Sequence, residues 1–249
     1  MIGIVTERNG AAGEYEEVEI PGAPETEDGA ARTVLRRRSA FPTRRAVLHV
    51  HCLPDSFVPE DVVRWYTDRG FHFYVADLRP RGAKERHGRL GRRPALRARF
   101  ARLDAACQYL HEKDGIESVV ISAYSADALA VALWCDARRD AEPADALILS
   151  SPVFGRRLRR GLHIACPVLV MCPSAEPSAS VRRPDRGGRL RRRKGSETTV
   201  LGPHVTWLWL ASGLTGQEVT SDADRKVLFD EMGRWLGAYM YGQVRDQLL

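Results

Sequence analysis

The sequence predicts an α/β fold with a mostly parallel central sheet and helices on both of its faces. Short apolar runs typical of buried strands alternate with segments whose apolar residues recur at helical spacing. This alternation indicates a parallel sheet, because each crossover between parallel strands usually carries a helix. A length of 249 residues and a hydrophobic content of 44% suit one such domain with a sizeable core.

The periodicity places each element along the chain. Residues 1–45 are expected to form a mobile segment with two edge strands, at 16–20 and 33–37, because both stretches alternate weakly. Residues 46–249 are expected to form the core, with a flexible insertion rich in Arg, Gly and Pro at about 173–202. Core strands are predicted at 47–51, 71–78, 119–122, 146–149, 167–172 and 205–210, and helices at 61–68, 95–113 and 223–241. A further helix is predicted to follow a turn at 123–127 and to end at about 138.

The last helix has a predicted core face. Its apolar residues recur at helical spacing and so form one stripe. They are Val227, Leu228, Met232, Trp235, Leu236 and Tyr239.

Composition narrows the class of protein. No stretch approaches the roughly 18–20 uninterrupted apolar residues of a membrane-spanning helix. The acidic, Gly-rich first 29 residues do not resemble a secretory signal, so we expect a cytoplasmic protein. The odd number of scattered cysteines predicts reduced, mostly buried thiols, with no disulfide framework and no zinc site. These are Cys52, Cys107, Cys135, Cys166 and Cys172. We also expect no cofactor.

The net charge of +6 raises the question of nucleic-acid binding. Only four of the 38 basic residues are lysines, and abundant Arg and Ala are typical of the coding bias of a GC-rich genome, so we expect an actinobacterial source. The basic runs at 36–38, 79–102, 156–160 and 182–194 are separated and lack the interleaved aromatics of a stacking surface. We therefore expect a solvated basic surface and a small-molecule partner rather than nucleic acid.

One strand-to-helix turn has the pattern of a nucleophile site. Residues 123–128, Ala-Tyr-Ser-Ala-Asp-Ala, follow a predicted strand and open a predicted helix. A nucleophile turn needs small residues around the serine because strand and helix backbones nearly touch there. Ser125 takes the nucleophile position, and the amide of Ala126 points where an oxyanion would form. The alternative is an ordinary serine in a strand–helix turn.

On these residues the chain resembles serine hydrolases of the monoacylglycerol-lipase and lysophospholipase type, also described as serine-aminopeptidase-like, within the α/β-hydrolase superfamily. The resemblance spans about residues 46–239. It also rests on the segments at 49–52 (HVHC), 73–79 (FYVADLR), 147–152 (LILSSP), 167–170 (PVLV) and 234–236 (RWL). It implies the α/β-hydrolase fold and an ester- or lipid-cleaving site built from a nucleophile, an acid and a histidine in that chain order.

The resemblance also implies an oxyanion site that departs from the family pattern. Where the family has Gly-His-Ser-x-Gly-Gly, this chain carries Asp127, a carboxylate that would crowd the turn and oppose a developing oxyanion. The family's His-Gly pair becomes His51-Cys52, which leaves the second oxyanion amide at Leu53. Cys52 is interpreted as a small buried thiol or a reactive one, and Tyr124 as a pocket-lining side chain or an added hydrogen-bond donor.

The resemblance also implies positions for the catalytic acid and the catalytic histidine. Asp185 falls near the acid position, with Glu176 as a second candidate. Thr215 stands where the histidine is due, and no histidine follows His204. Threonine cannot accept a proton near neutral pH, so Ser125 would lack its general base.

The other histidines offer few substitutes. His204 precedes the last strand, at the end opposite the active face, and is interpreted as structural. His51 is expected to lie close to the pocket. His87 could reach the site only if its loop folded over it. His49 lies on the oxyanion strand. The remaining three read as surface or packing residues: His72, His111 and His163.

Three hypotheses follow. The first is a hydrolase-derived protein that hydrolyses esters weakly or not at all, a pseudoenzyme that binds or transforms a small apolar, ester-like molecule. The second is an active esterase or lipase that uses Ser125 with a rearranged triad. The third is a binding module that uses the basic surface. The sequence leaves the oligomeric state open.

Overall fold

The computed structural model describes residues 15–20, 32–37, 39, 41–51, 58–78, 93–152, 162–173, 189–191, 198–200, 205–210, 214–215, 218–219 and 222–241. The chain divides into two compact units, Met1–Ile121 and Ser122–Leu249. The fold belongs to the α/β class, with a mostly parallel sheet and helices, as the sequence predicts. Among the helices that the structure describes, none combines the length and apolar character that a membrane crossing requires.

The first unit carries five strands and two helices. In chain order they are β1 (Glu16–Ile20), β2 (Arg32–Arg37), β3 (Arg45–His51), α1 (Glu60–Thr67), β4 (His72–Asp77), α2 (Arg93–Glu112) and the start of β5 (Ser118–Tyr124). Their strand order is β1-β2-β4-β3-β5. The pairs β1/β2 and β2/β4 are antiparallel and β3/β4 is parallel. The two predicted edge strands are therefore present and extend a parallel core.

The second unit holds the end of β5 and the remaining elements. They are α3 (Ser125–Ala137), a 3₁₀ turn (Arg139–Ala141), β6 (Ala146–Ser150), β7 (Val168–Pro173), β8 (Arg189–Arg191), β9 (Thr198–Val200), β10 (Val205–Leu210), β11 (Leu214–Thr215), β12 (Glu218–Val219), α4 (Asp222–Leu236) and a π-helical turn (Gly237–Tyr241). The order β5-β6-β7-β10 builds the sheet, and β6/β7 and β7/β10 are parallel. The pairs β8/β9 and β11/β12 form two small antiparallel ribbons.

The central strands are buried along most of their length. In β5, five consecutive residues from Val119 to Ala123 are buried, and in β6 the four from Ala146 to Leu149 are buried. Strands covered on both faces read as continuous apolar runs, which is why the sequence signals for these two were strong.

The end of α1 shows why a glycine stands there. Gly70 has a φ of 75°, a left-handed conformation that glycine adopts without steric cost. A Cβ at this position would lie 3.2 Å from the guanidinium of Arg45. The helix therefore ends at the predicted point, and the chain turns directly into β4.

A buried polar cluster ties several elements of the first unit together. Arg36 of β2 is 6% exposed and forms ion pairs of 2.5 Å with both Glu16 of β1 and Asp114, just beyond α2. The hydroxyl of Tyr74 in β4 donates to the same Asp114 carboxylate at 2.7 Å. Burial alone would lower the pKa of Arg36, but its bonds to the two carboxylates outweigh burial and raise it. Burial, then the bond to Asp114, raises the pKa of Tyr74.

Two sequence predictions need correction. The strand predicted to end at 122 continues through Tyr124, and α3 begins directly at Ser125, where the sequence predicted a turn over 123–127. On α4, Leu228, Met232, Trp235 and Leu236 are buried as predicted, whereas Val227 is 51% exposed. Val227 neighbours Leu228 in sequence, and a rotation of about 100° per residue carries it off the buried stripe.

Candidate active site

Ser125 occupies a sharp turn between strand and helix. Tyr124, the last residue of β5, is extended with φ −116° and ψ 144°, and Ser125 itself has a φ of 52°. A non-glycine residue in this left-handed region costs of order 1–3 kcal/mol and persists only where the surroundings enforce it. The geometry is that expected of a nucleophile turn, in which strain exposes the side chain above the sheet.

Small neighbours make this turn possible. Ala123 is 1% exposed and Ala128 is fully buried, so both sides of the turn are closely packed. Ser125 and Ala126 themselves are partly exposed. The sequence requirement for small residues around the serine is therefore explained by packing, while the serine stays accessible.

The start of α3 presents backbone donors beside Ser125. The first amides of any helix lack intrahelical acceptors, and here the Tyr124 side chain does not cap them. The amide of Ala126 is one of these donors, and the helix dipole adds positive potential. This arrangement can stabilise negative charge that develops on an atom bound at Ser125.

Asp127 lies in the same first helical turn. It is 3% exposed, so its carboxylate is packed inside the protein. A carboxylate near a helix N-terminus is stabilised by the dipole. That negative charge also offsets part of the positive potential available to an oxyanion.

Thr215, at the predicted base position, lies in a ribbon that the sequence did not indicate. It ends β11 and pairs in register with Glu218 of β12. The structure describes its backbone and not its side chain. The two strands have two residues each, too short for an alternation to be visible in the sequence.

The structure leaves the side chains of several predicted site residues undescribed. For His51, which ends β3 in the first unit, the structure describes the backbone alone. Six further residues lie entirely outside the described ranges, so their roles stay predictions. They are Cys52, Leu53, His87, Glu176, Asp185 and His204.

Three of the remaining histidines have side chains that make structural contacts. The ring of His49 stacks on Phe73 with centroids 6.0 Å apart. His72 is 8% exposed, and its Nδ1 accepts a hydrogen bond of 2.9 Å from the Ser39 amide. The Nδ1 of His111 lies 2.7 Å from the carbonyl oxygen of Ile116, and His163 is exposed. Within the described ranges, no imidazole hydrogen-bonds the Ser125 hydroxyl.

A groove of about 920 Å³ lies elsewhere, in the first unit, where β3, β4 and β5 begin. Ligands of open α/β sheets bind at the opposite, carboxyl ends of the strands, where Ser125 lies. The groove is therefore not the candidate site. It is lined by Ser39, Phe41, Pro42, Thr43, Arg44, Arg45, His72, Glu117 and Ser118.

The parallel sheet and the strained serine turn together define the α/β-hydrolase fold, and comparison with solved structures agrees. The chain is similar to a dienelactone hydrolase from Anabaena variabilis, with a TM-score of 0.62 and 14% identity over 91% of this chain and 98% of that one. It is also similar to an esterase from Pyrococcus furiosus, with a TM-score of 0.58 and 13% identity over 91% and 93% of the two chains.

The esterase domain of a Rhodothermus marinus protein gives a TM-score of 0.56 and 12% identity, over 91% of this chain and 99% of that one. No protein-family model matches the sequence, and a search of curated proteins finds no match either. At these identities the likeness establishes the fold, which confirms the fold class predicted from the sequence.

Proposed function

We propose that this chain binds a small apolar, ester-like molecule at Ser125 and hydrolyses it weakly or not at all. The proposal combines a preserved nucleophile turn with the absence of a histidine at the expected base position, which carries Thr215. We further propose that the site derives from serine hydrolases of the monoacylglycerol-lipase type. In this site Asp185 takes the acid position and Leu53 provides the second oxyanion donor.

The state of the Ser125 hydroxyl is the observation that carries the proposal. Ser125 is partly exposed, and within the described ranges no imidazole is bonded to its hydroxyl. A serine hydroxyl is a poor nucleophile without an adjacent base. In a serine protease, removal of the histidine costs about a million-fold in kcat. The helix amides can still bind a carbonyl oxygen without completing the reaction.

The test uses two reagents on the purified full-length protein. With p-nitrophenyl butyrate, we expect the wild-type rate to lie within about tenfold of the Ser125→Ala rate, since the missing base removes most of the acceleration. With a fluorophosphonate probe, intact mass spectrometry should show no stoichiometric adduct after hours. Rapid labelling of Ser125, together with turnover that Ser125→Ala abolishes, would overturn the proposal.

A variant tests the assignment of the base position. Thr215→His should raise p-nitrophenyl butyrate hydrolysis at least about tenfold, because a positioned imidazole typically contributes 10²–10⁴-fold. Thr215→Asn is the matched control, since it adds a polar side chain that cannot act as a base. A folded Thr215→His protein that stays as inactive as the Asn control would contradict the assignment or show that Asp127 is a further defect.

One observation favours an active carboxylic-ester hydrolase as a second candidate. Ser125 retains a left-handed φ of 52°, a strain that a chain with no use for an exposed hydroxyl could relieve with glycine. The same two reagents separate the candidates, because rapid labelling would assign Ser125 a working base from elsewhere in the chain.

A further inference from the structure

A second serine in the same unit shares the geometry of Ser125. Ser151 is the first residue after β6 and has a φ of 43°, as Ser125 is the first residue after β5 and has a φ of 52°. Strands β5 and β6 are neighbours in the sheet, and α3, which begins at Ser125, packs against β6. Each of two adjacent strands thus ends on a strained serine.

The Ser151 side chain carries a second anomaly. Its hydroxyl oxygen is shielded from solvent and has no hydrogen-bond partner within the described structure. The backbone, in contrast, is fixed, because the Ser151 amide donates to the carbonyl oxygen of Met171 in β7 at 2.8 Å. The sheet thereby holds Ser151 in a conformation that costs free energy twice, once through φ and once through the unpaired hydroxyl.

Each of these two costs could be removed by a substitution. Glycine would relieve the φ strain, and alanine would remove the unpaired hydroxyl. A position that keeps both costs at the ligand-binding end of an α/β sheet is a candidate functional position. In the sequence, the Ser-Ser-Pro run at 150–152 contributes to the family resemblance, but no residue pattern there predicts a functional serine.

We infer that Ser151 is a specificity-determining residue whose hydroxyl donates a hydrogen bond to the polar group of the molecule bound at Ser125. This inference rests on the proposed function. The donor is already desolvated in the free protein, so pairing with a ligand oxygen gains the bond without a further cost of removing water from the donor. The preferred ligand therefore carries a carbonyl-type acceptor on an apolar body.

The experiment measures binding of butyl phenyl ketone, which presents such a carbonyl and cannot be hydrolysed, by isothermal titration calorimetry. We expect saturable binding to the wild type and a Kd about 3- to 10-fold higher for Ser151→Ala, the loss of one hydrogen bond. Ser151→Gly should weaken binding similarly and melt at a higher temperature than the wild type, since it removes both costs. The matched control is Ser150→Ala, at a partly exposed neighbour with ordinary φ, which should bind within about twofold of the wild type.

The outcomes separate the inference from the function on which it rests. Saturable wild-type binding with an unchanged Kd in Ser151→Ala and Ser151→Gly would overturn the role of Ser151 and leave the proposed function intact. An equal loss in Ser150→Ala would also overturn it, because the effect would then not be specific to the strained hydroxyl. Absence of saturable binding to the wild type would overturn both proposals together.

Discussion

The strained turn at Ser125 is the most informative feature at the scale of single residues. Residue type and context predicted a nucleophile turn from the letters Ala-Tyr-Ser-Ala-Asp-Ala alone. The sign of φ was not predictable, because a serine carries no marker of the left-handed region as glycine does. For the same reason the sequence does not predict the turn at Ser151, and only the structure shows that the two serines share a left-handed φ.

The strain at Ser125 can be measured directly. Within a helix, glycine is normally less stable than alanine by about 1 kcal/mol. At a φ of 52° we expect the reverse, with Ser125→Gly more stable than Ser125→Ala by about 1 kcal/mol, because alanine retains the steric conflict. Urea unfolding of both variants gives the difference. An alanine variant as stable as the glycine variant, or more stable, would show that the turn is unstrained.

At the scale of elements, apolar periodicity located the main strands and helices to within a few residues. Burial produced these signals: β5 and β6 are covered on both faces and read as continuous apolar runs. The short ribbons β8/β9 and β11/β12 carry no such signal, since two or three residues cannot show an alternation. For β8 and β9 an Arg- and Gly-rich composition predicted a flexible insertion, a prediction based on composition alone.

The buried cluster around Arg36 is expected to carry much of the stability of the first unit. Asp114→Ala removes one carboxylate from a guanidinium that is 6% exposed and also leaves the Tyr74 hydroxyl without its acceptor. Breaking a buried ion pair from one side costs about 3–5 kcal/mol, so we expect a loss near 3 kcal/mol because Glu16 remains. Urea unfolding followed by circular dichroism measures this loss.

An exposed ion pair in the same unit is the control for that measurement. Arg44 and Glu117 are 71% and 66% exposed, and pairs of this kind contribute about 0–1 kcal/mol. Glu117→Gln should therefore change stability by less than about 1 kcal/mol. Similar losses in Asp114→Ala and Glu117→Gln would contradict the importance of burial in the Arg36 cluster.

Helix α2 contains a thiol that is expected to be unreactive. Burial, with a smaller effect of the Asp104 charge, raises the pKa of Cys107 to about 12. The thiolate is the reactive form, so iodoacetamide at pH 8 should leave Cys107 unmodified in the folded protein while the partly exposed Cys166 and Cys172 react. Peptide mass spectrometry distinguishes the sites. Alkylation of native Cys107 at the rate of Cys166 would contradict its burial.

The same thiol makes stability depend on alkaline pH. A folded-state pKa raised above the ordinary value near 9 means that the contribution of Cys107 is complete below about pH 9 and is lost progressively toward pH 12. Cys107→Ala removes this titration, so its stability should fall less steeply between pH 9 and 11 than that of the wild type. Parallel slopes in the two urea-unfolding series would count against the raised pKa.

At the scale of the whole molecule, the fold was predictable because it follows from the alternation of strands and helices, whereas the site was only partly so. Ser125 and its small neighbours follow from the local requirements of one turn. The acid, the base and the second oxyanion donor depend on which loops meet, and that information is distributed over the chain. The roles of Asp185 as acid and of Leu53 as oxyanion donor therefore stay predictions, whereas the structure gives the backbone geometry of the turn at Ser125.

The charge of the whole molecule leads to a prediction about nucleic acid. The net charge is +6, and five cations in the described ranges are paired with nearby carboxylates. These pairs are Arg36 with Glu16 and Asp114, Arg44 with Glu117, Arg64 with Glu60, Lys226 with Asp230, and Arg234 with Glu231. Cations neutralised in this way release few counterions on contact with phosphates, so they contribute little to binding.

We therefore expect the Kd for a fluorescent 20-base-pair duplex to exceed about 100 µM at 150 mM salt, the weak end of non-specific binding. Fluorescence polarisation at 50 and 200 mM salt measures both the affinity and its salt slope. A variant with the arginines of residues 182–194 replaced by serine is the control, because that run holds the densest unassigned positive charge in the sequence. Sub-micromolar binding that falls steeply with salt and is lost in the serine variant would make the basic surface a functional interface and favour a binding module over a small-molecule site.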